Sequence, residues 1–160
     1  MKRLILVAVL LAWGPWIGAQ SEKLTSDGST LATPSAEGAT VSIVSPQDGD
    51  EVPPTFTVKF MVSGMGLAPA GSKIDNTGHH HLLIDIDELP SMDQPLPAND
   101  QLLHFGGGQT ETQLTLAPGQ HSLQLVLGDY LHRPHDPPVI SDKIVIEVVS
   151  ETVPEPQDQE

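Results

Sequence analysis

The 160-residue sequence contains no cysteine. That absence excludes disulfides, thiolate nucleophiles and every cysteine-based metal site, so any bound metal would be held by His, Asp or Glu. It excludes a cysteine-linked lipid anchor as well, and it requires that an exported fold be held together by an apolar core. Basic residues are scarce, with 7 Lys and Arg against 21 Asp and Glu. A surface of this sign repels phosphate backbones and anionic headgroups, which sets aside nucleic acid and membrane surfaces as partners. Beyond the first twenty residues no stretch keeps helical spacing. No serine lies in a nucleophile elbow. Asp85 and Asp87 share a strand face, but no partner set around them implies a reaction, so nothing positive supports an enzyme.

What is present divides the chain into four parts. Residues 1–20, MKRLILVAVLLAWGPWIGAQ, read as a removable signal peptide. Lys2 and Arg3 give the positive start, Leu4 to Ala12 the apolar run, and Ala19 a small residue at a cleavage point. The run is shorter than the roughly 20 residues that span a bilayer, so no membrane span is expected once the signal is removed. The expected location is periplasmic or secreted. Removal takes two of the seven basic residues and no acid, leaving five against 21, a net of −16. Residues 21–40 are rich in Ser, Thr, Ala and Gly and read as a flexible linker. Residues 151–160, ETVPEPQDQE, read as a disordered acidic tail. The span 41–150 remains as one domain.

Within 41–150 apolar residues recur with period two. Phe56, Val58, Phe60 and Val62 share one face of TFTVKFMVS, and Leu123, Leu125 and Leu127 share one face of HSLQLVLG. Similar alternation in VSIVS, HLLIDID, TQLTL and KIVIEVV, with QLLHF added, makes about seven short strands separated by Pro and Gly. The pattern predicts an all-β, immunoglobulin-like β-sandwich, with a small barrel as the rival. The segment Leu116 to Leu123 has the form of the corner between two sheets, where a tyrosine usually bonds back to backbone; His121 stands in that place.

Six of the seven histidines fall in connections that such a fold gathers at one end. His79, His80 and His81 open the third expected strand, His104 precedes the fifth, and His132 and His135 flank Pro134 in the loop before the last. Strand alternation puts His80 in phase with the core residues Leu82 and Ile84, and His79 and His81 on the opposite face. His79 and His81, roughly 7 Å apart at the strand rise, could converge on one ion that His132 and His135 close. His104 and Asp129 are reserve ligands. Imidazoles without thiolates suit copper or zinc. Binding needs neutral imidazole, so affinity is expected to fall below about pH 6. The competing reading has these histidines bonding backbone carbonyls and stiffening the loops. Gly106-Gly107-Gly108 reads as a tight turn; it lacks the Lys-Ser/Thr ending of a phosphate loop.

The strings NTGHHHLLID, HFGGGQTET and PGxHxLQLVLGD, followed by HxPHxPPVxS, resemble the bacterial domain-of-unknown-function family numbered 4399 across residues 41–149. The resemblance implies an exported single domain and assigns no site residue. Two function classes stay open. One is a binding module that takes a transition metal at a histidine-rich rim. The other is a cell-envelope structural or interaction module that contacts a protein or glycan with structural histidines.

Overall fold

The alternation of residues 55–63 becomes a strand with buried Phe56, Val58 and Phe60 and exposed residues between them. A computed structural model describes residues 32–150; the expected signal peptide, most of the expected linker and the acidic tail lie outside the described residues. Nine strands are described: β1 (Thr40–Ser45), β2 (Glu51–Val52), β3 (Thr55–Ser63), β4 (Gly66–Leu67), β5 (Thr77–Ile84), β6 (Leu102–His104), β7 (Glu111–Thr115), β8 (Gly119–Gly128) and β9 (Ile144–Val148). One sheet has the order β1-β3-β7 and the other β2-β9-β8-β5-β4, with β6 also paired to β5. The two sheets face each other across one core, which includes Val58, Phe60, Leu82, Leu123, Leu125, Leu127 and Ile146. The long strands divide as first, second and fifth in one sheet against third, sixth and seventh in the other, which is the immunoglobulin-like arrangement. β2 and β4, at two residues each, are too short to show a period in the sequence.

Burying a large apolar side chain stabilises by roughly 1.5–3 kcal/mol. A one-residue slip of β8 would turn Leu123, Leu125 and Leu127 outward together, so its register on β5 and β9 is fixed. β5 departs from the half-buried pattern, because it is buried on both faces. A second apolar cluster of Leu83, Leu96, Leu102 and Val126 covers its outer side. Leu96 comes from the loop between β5 and β6, which folds back over the large sheet.

The placement of β6 matters most for the site. In an immunoglobulin constant-type sandwich the fourth strand joins the sheet of the first, second and fifth. Here it crosses to β5, with His81 opposite His104 and Leu83 opposite Leu102. At the other end of the β5–β8 ladder, His121 takes the corner role expected of it. Its Nδ1–H donates to Asp85 Oδ2 at 2.7 Å and its Nε2–H to the Ala117 carbonyl at 2.9 Å.

Candidate metal centre

Strand geometry brings three of the histidines together. His79 and His81 are two apart on β5 and share its outer face, while His80 between them turns inward against the Phe60 ring at 5.3 Å. His104 enters from β6 beside His81. His132 arrives from the loop after β8, with a left-handed φ of 65°. One ring nitrogen from each of His79, His81, His104 and His132 lies within 4.8 Å of the others. The six pairs of ring centroids are 4.6 to 6.1 Å apart.

These separations approach what one ion requires, and the widest would have to close by some tenths of an ångström for all four rings to share it. With metal–nitrogen bonds near 2.0–2.1 Å, neighbouring ligands around a tetrahedral ion stand about 3.3 Å apart, and opposed ligands around a square-planar one about 4.1 Å. His79 Nε2 and His132 Nδ1 are already 3.2 Å apart, a distance that serves equally for a hydrogen bond between the two rings.

Two glycines make room for the rings. A Cβ on Gly128 would lie 2.5 Å from His81 Cε1 and 2.9 Å from its Nδ1. A Cβ on Gly106 would lie 2.4 Å from His104 Cε1 and 2.7 Å from its Nε2. Neither glycine has a positive φ, so space rather than backbone conformation calls for glycine there. Sequence reasoning missed both, since a glycine at a strand end reads first as a turn.

His79 and His81 are each 1% exposed, and His104 and His132 are more open to solvent. Neither ring nitrogen of His81 has a hydrogen bond of proper geometry, the His79 backbone making only a weak contact that raises its pKa slightly. A neutral imidazole carries one N–H and one lone pair, and a buried polar group left unpaired costs roughly 1–3 kcal/mol. Burial, and then the nearby His79, His104 and His132 rings, push the His81 pKa down to about 3; the His79 backbone offsets a little of this. Burial followed by the His104 and His132 rings lowers His79 to about 4, against the opposing Asp129 carboxylate. His104 is lowered by burial and by His132. Both buried imidazoles therefore stay neutral well below pH 6, the form that can coordinate a metal. For these two rings protonation is pushed below the pH 6 expected of an ordinary imidazole.

The other expected residues lie elsewhere. His135 packs against Gly78, with Nδ1 3.3 Å from the Leu127 carbonyl and Nε2 3.2 Å from that of Thr77. Asp129 is buried, and its carboxylate accepts the backbone N–H groups of Leu131 and Arg133 and the Thr33 hydroxyl. His80 donates through Nδ1–H to the Gln109 carbonyl at 3.1 Å. The six-histidine rim expected from topology thus resolves into four rings on the outer face of the large sheet, with His80 turned to the inner face and His135 engaged by backbone. Gly106 and Gly107 form the expected tight turn, closed by Gly108 N–H on the Phe105 carbonyl.

Residues 58–149 match the family described as Domain of unknown function (DUF4399). No functionally curated protein matches the chain. Among solved structures, the fibronectin(III)-like modules of Clostridium thermocellum CbhA are similar at 13% identity and a TM-score of 0.42. That match covers 86% of this chain and 64% of the other, a likeness too distant to carry an argument about the site.

Proposed function

The chain belongs to the DUF4399 family, a domain of unknown function, and from that premise we propose that it is an exported module binding one copper or zinc ion through His79, His81, His104 and His132. The observation that carries this reading is His81, a buried ring with neither nitrogen in a hydrogen bond of proper geometry, in the middle of three other imidazoles. The histidines outside the cluster each engage at least one nitrogen: His80 bonds the Gln109 carbonyl through Nδ1, and both nitrogens of His121 and of His135 have partners. An all-imidazole set suits Cu(II) and Zn(II), and Cu(II) binds tighter in the usual order of divalent metals. Four protein ligands around one ion leave no open position in tetrahedral geometry, which favours holding a metal over catalysis at it. Export is supported by the charged start and apolar run of residues 1–20, and it places binding in the periplasm or outside the cell.

The test is titration of metal-stripped protein with Cu(II) and with Zn(II). One equivalent should bind with sub-micromolar affinity, and free metal at 100 times Kd should stabilise the fold by about 2.7 kcal/mol. The double change His79→Ala, His81→Ala should abolish binding. Wild-type protein that binds neither ion more tightly than micromolar would sink the proposal and favour a structural or interaction module.

A further inference from the structure

Of the four clustered histidines, only His132 is not on a strand. Leu96 N–H donates to its carbonyl at 2.8 Å and its ring meets His79, but the turn that sets its backbone is built on the carboxylate of Asp129, three residues earlier and 1% exposed. Asp129 Oδ1 accepts Leu131 N–H at 2.8 Å and Arg133 N–H at 3.0 Å. The Asp129 N–H donates to the Arg133 carbonyl at 2.7 Å, and His132 N–H donates to the Asp129 carbonyl at 2.9 Å. These bonds close a tight turn around His132 and keep it in its left-handed conformation.

The second oxygen, Asp129 Oδ2, accepts the Thr33 hydroxyl at 2.7 Å. Thr33 comes from the segment just before the sandwich, 96 positions away in sequence. That segment also grips the far end of the same loop. Asp136 N–H donates to the Thr33 carbonyl at 3.0 Å, and Ser35 N–H donates to the Asp136 carbonyl at 3.3 Å. Residues 33–35 therefore strap the His132 loop at both ends, and every oxygen of the Asp129 carboxylate is engaged in holding it.

Resting on the metal-binding reading above, we propose that Thr33 and Asp129 are positioning residues for the fourth ligand, and that the strap regulates the site. With the strap attached, His132 joins the three strand histidines and the ion is enclosed by four imidazoles. With the strap released, His132 withdraws and leaves three imidazoles and an open position, the arrangement from which a metal exchanges or takes an outside ligand. The three strand ligands do not depend on the strap, because β5, β6 and β8 pair without it.

The experiment loads the full chain with Cu(II) and reads two quantities: affinity by chelator competition, and the number of coordinated imidazole nitrogens by pulsed electron paramagnetic resonance. His132→Ala supplies the reference spectrum for three imidazoles. Thr33→Val, which keeps shape and removes the hydroxyl, should shift the spectrum toward that reference and weaken binding roughly 10–100-fold, the usual effect of losing a residue that orients a metal ligand. Thr33→Ser should restore both. Asp129→Ala should act at least as strongly; if it does not fold, Thr33→Val decides. A Thr33→Val protein with four imidazoles and wild-type affinity overturns the strap while leaving the metal site standing. Wild-type protein that takes up no Cu(II) overturns both.

Discussion

The β5–β8 ladder carries histidines at both ends, and the two ends treat them oppositely. At one end His121 has both nitrogens engaged by Asp85 and Ala117. Burial is the largest single influence on it and lowers its pKa, but the Asp85 carboxylate, the Ala117 carbonyl and the Glu147 charge together outweigh burial, and the net shift is upward. At the other end the rings of His79, His81 and His104 are pushed down, first by burial and then by neighbouring imidazoles, His132 acting on all three. The difference lies in the partners supplied. At His121 the fold provides a carboxylate and a carbonyl, and the shift is toward the charged form. Where the fold provides mostly other imidazoles, the shift is toward the neutral form, the one that can coordinate a metal.

The sharpest way to break this contrast is to crowd one end. Gly128→Ala should cut Cu(II) affinity roughly 10–100-fold, because the new Cβ displaces a ring already enclosed by its neighbours. Gly66→Ala, whose Cβ would first meet Thr77 Cγ2 at 3.4 Å, should leave the affinity unchanged. Equal affinities for the two variants would show that the His81 ring is not held where the contrast requires.

Acid should separate the ends next. The unfolded chain takes up histidine protons near pH 6.5, whereas folded His79 and His81 resist until about 4 and 3. Between those values the unfolded state binds more protons, so the stability these rings confer is fully present above pH 6.5 and is lost as pH falls. Both rings steepen the pH dependence inside that window. Thermal melts of metal-stripped protein from pH 7 to 4 should show the loss, and saturating Zn(II) should remove most of it at the upper end. A metal-free midpoint flat across this range contradicts the assigned burial of the rings.

The smallest effect belongs to His121. Its raised pKa reverses the sign: the stability it adds is present below pH 6.5 and fades as pH rises through its folded value. Asp85 is partly exposed, so solvent screens the pair and His121→Ala should cost no more than about 1 kcal/mol. Urea unfolding at pH 5.5 and pH 8.5 should find the larger loss at the lower pH, with metal affinity unaffected.

Much of this fold is legible in the strand pattern. The alternation in β3, β8 and β9 gives the strands and their inward faces, and the same period separates His80 from His79 and His81. The corner role of His121 is legible too, from its place after Pro118-Gly119. The partner of β6 is not. Leu102-Leu103-His104 would pair as readily with β7 as with β5, and only the fold-back of the β5–β6 loop over Leu83 and Val126 sends it to β5. Nor does the sequence distinguish His132 from His135, which flank the same Arg133-Pro134 step. Their different fates depend on the Asp129 turn and on a threonine almost a hundred residues away.

The sequence by itself determined an all-β body, the face each residue of the histidine triplet occupies, and the exclusion of thiolate chemistry, because these follow from residue type and a two-residue period. The tertiary structure alone decided which four imidazoles meet. Convergence depends on strand partnership and loop closure, and both are set by long-range packing that leaves no local mark on the chain.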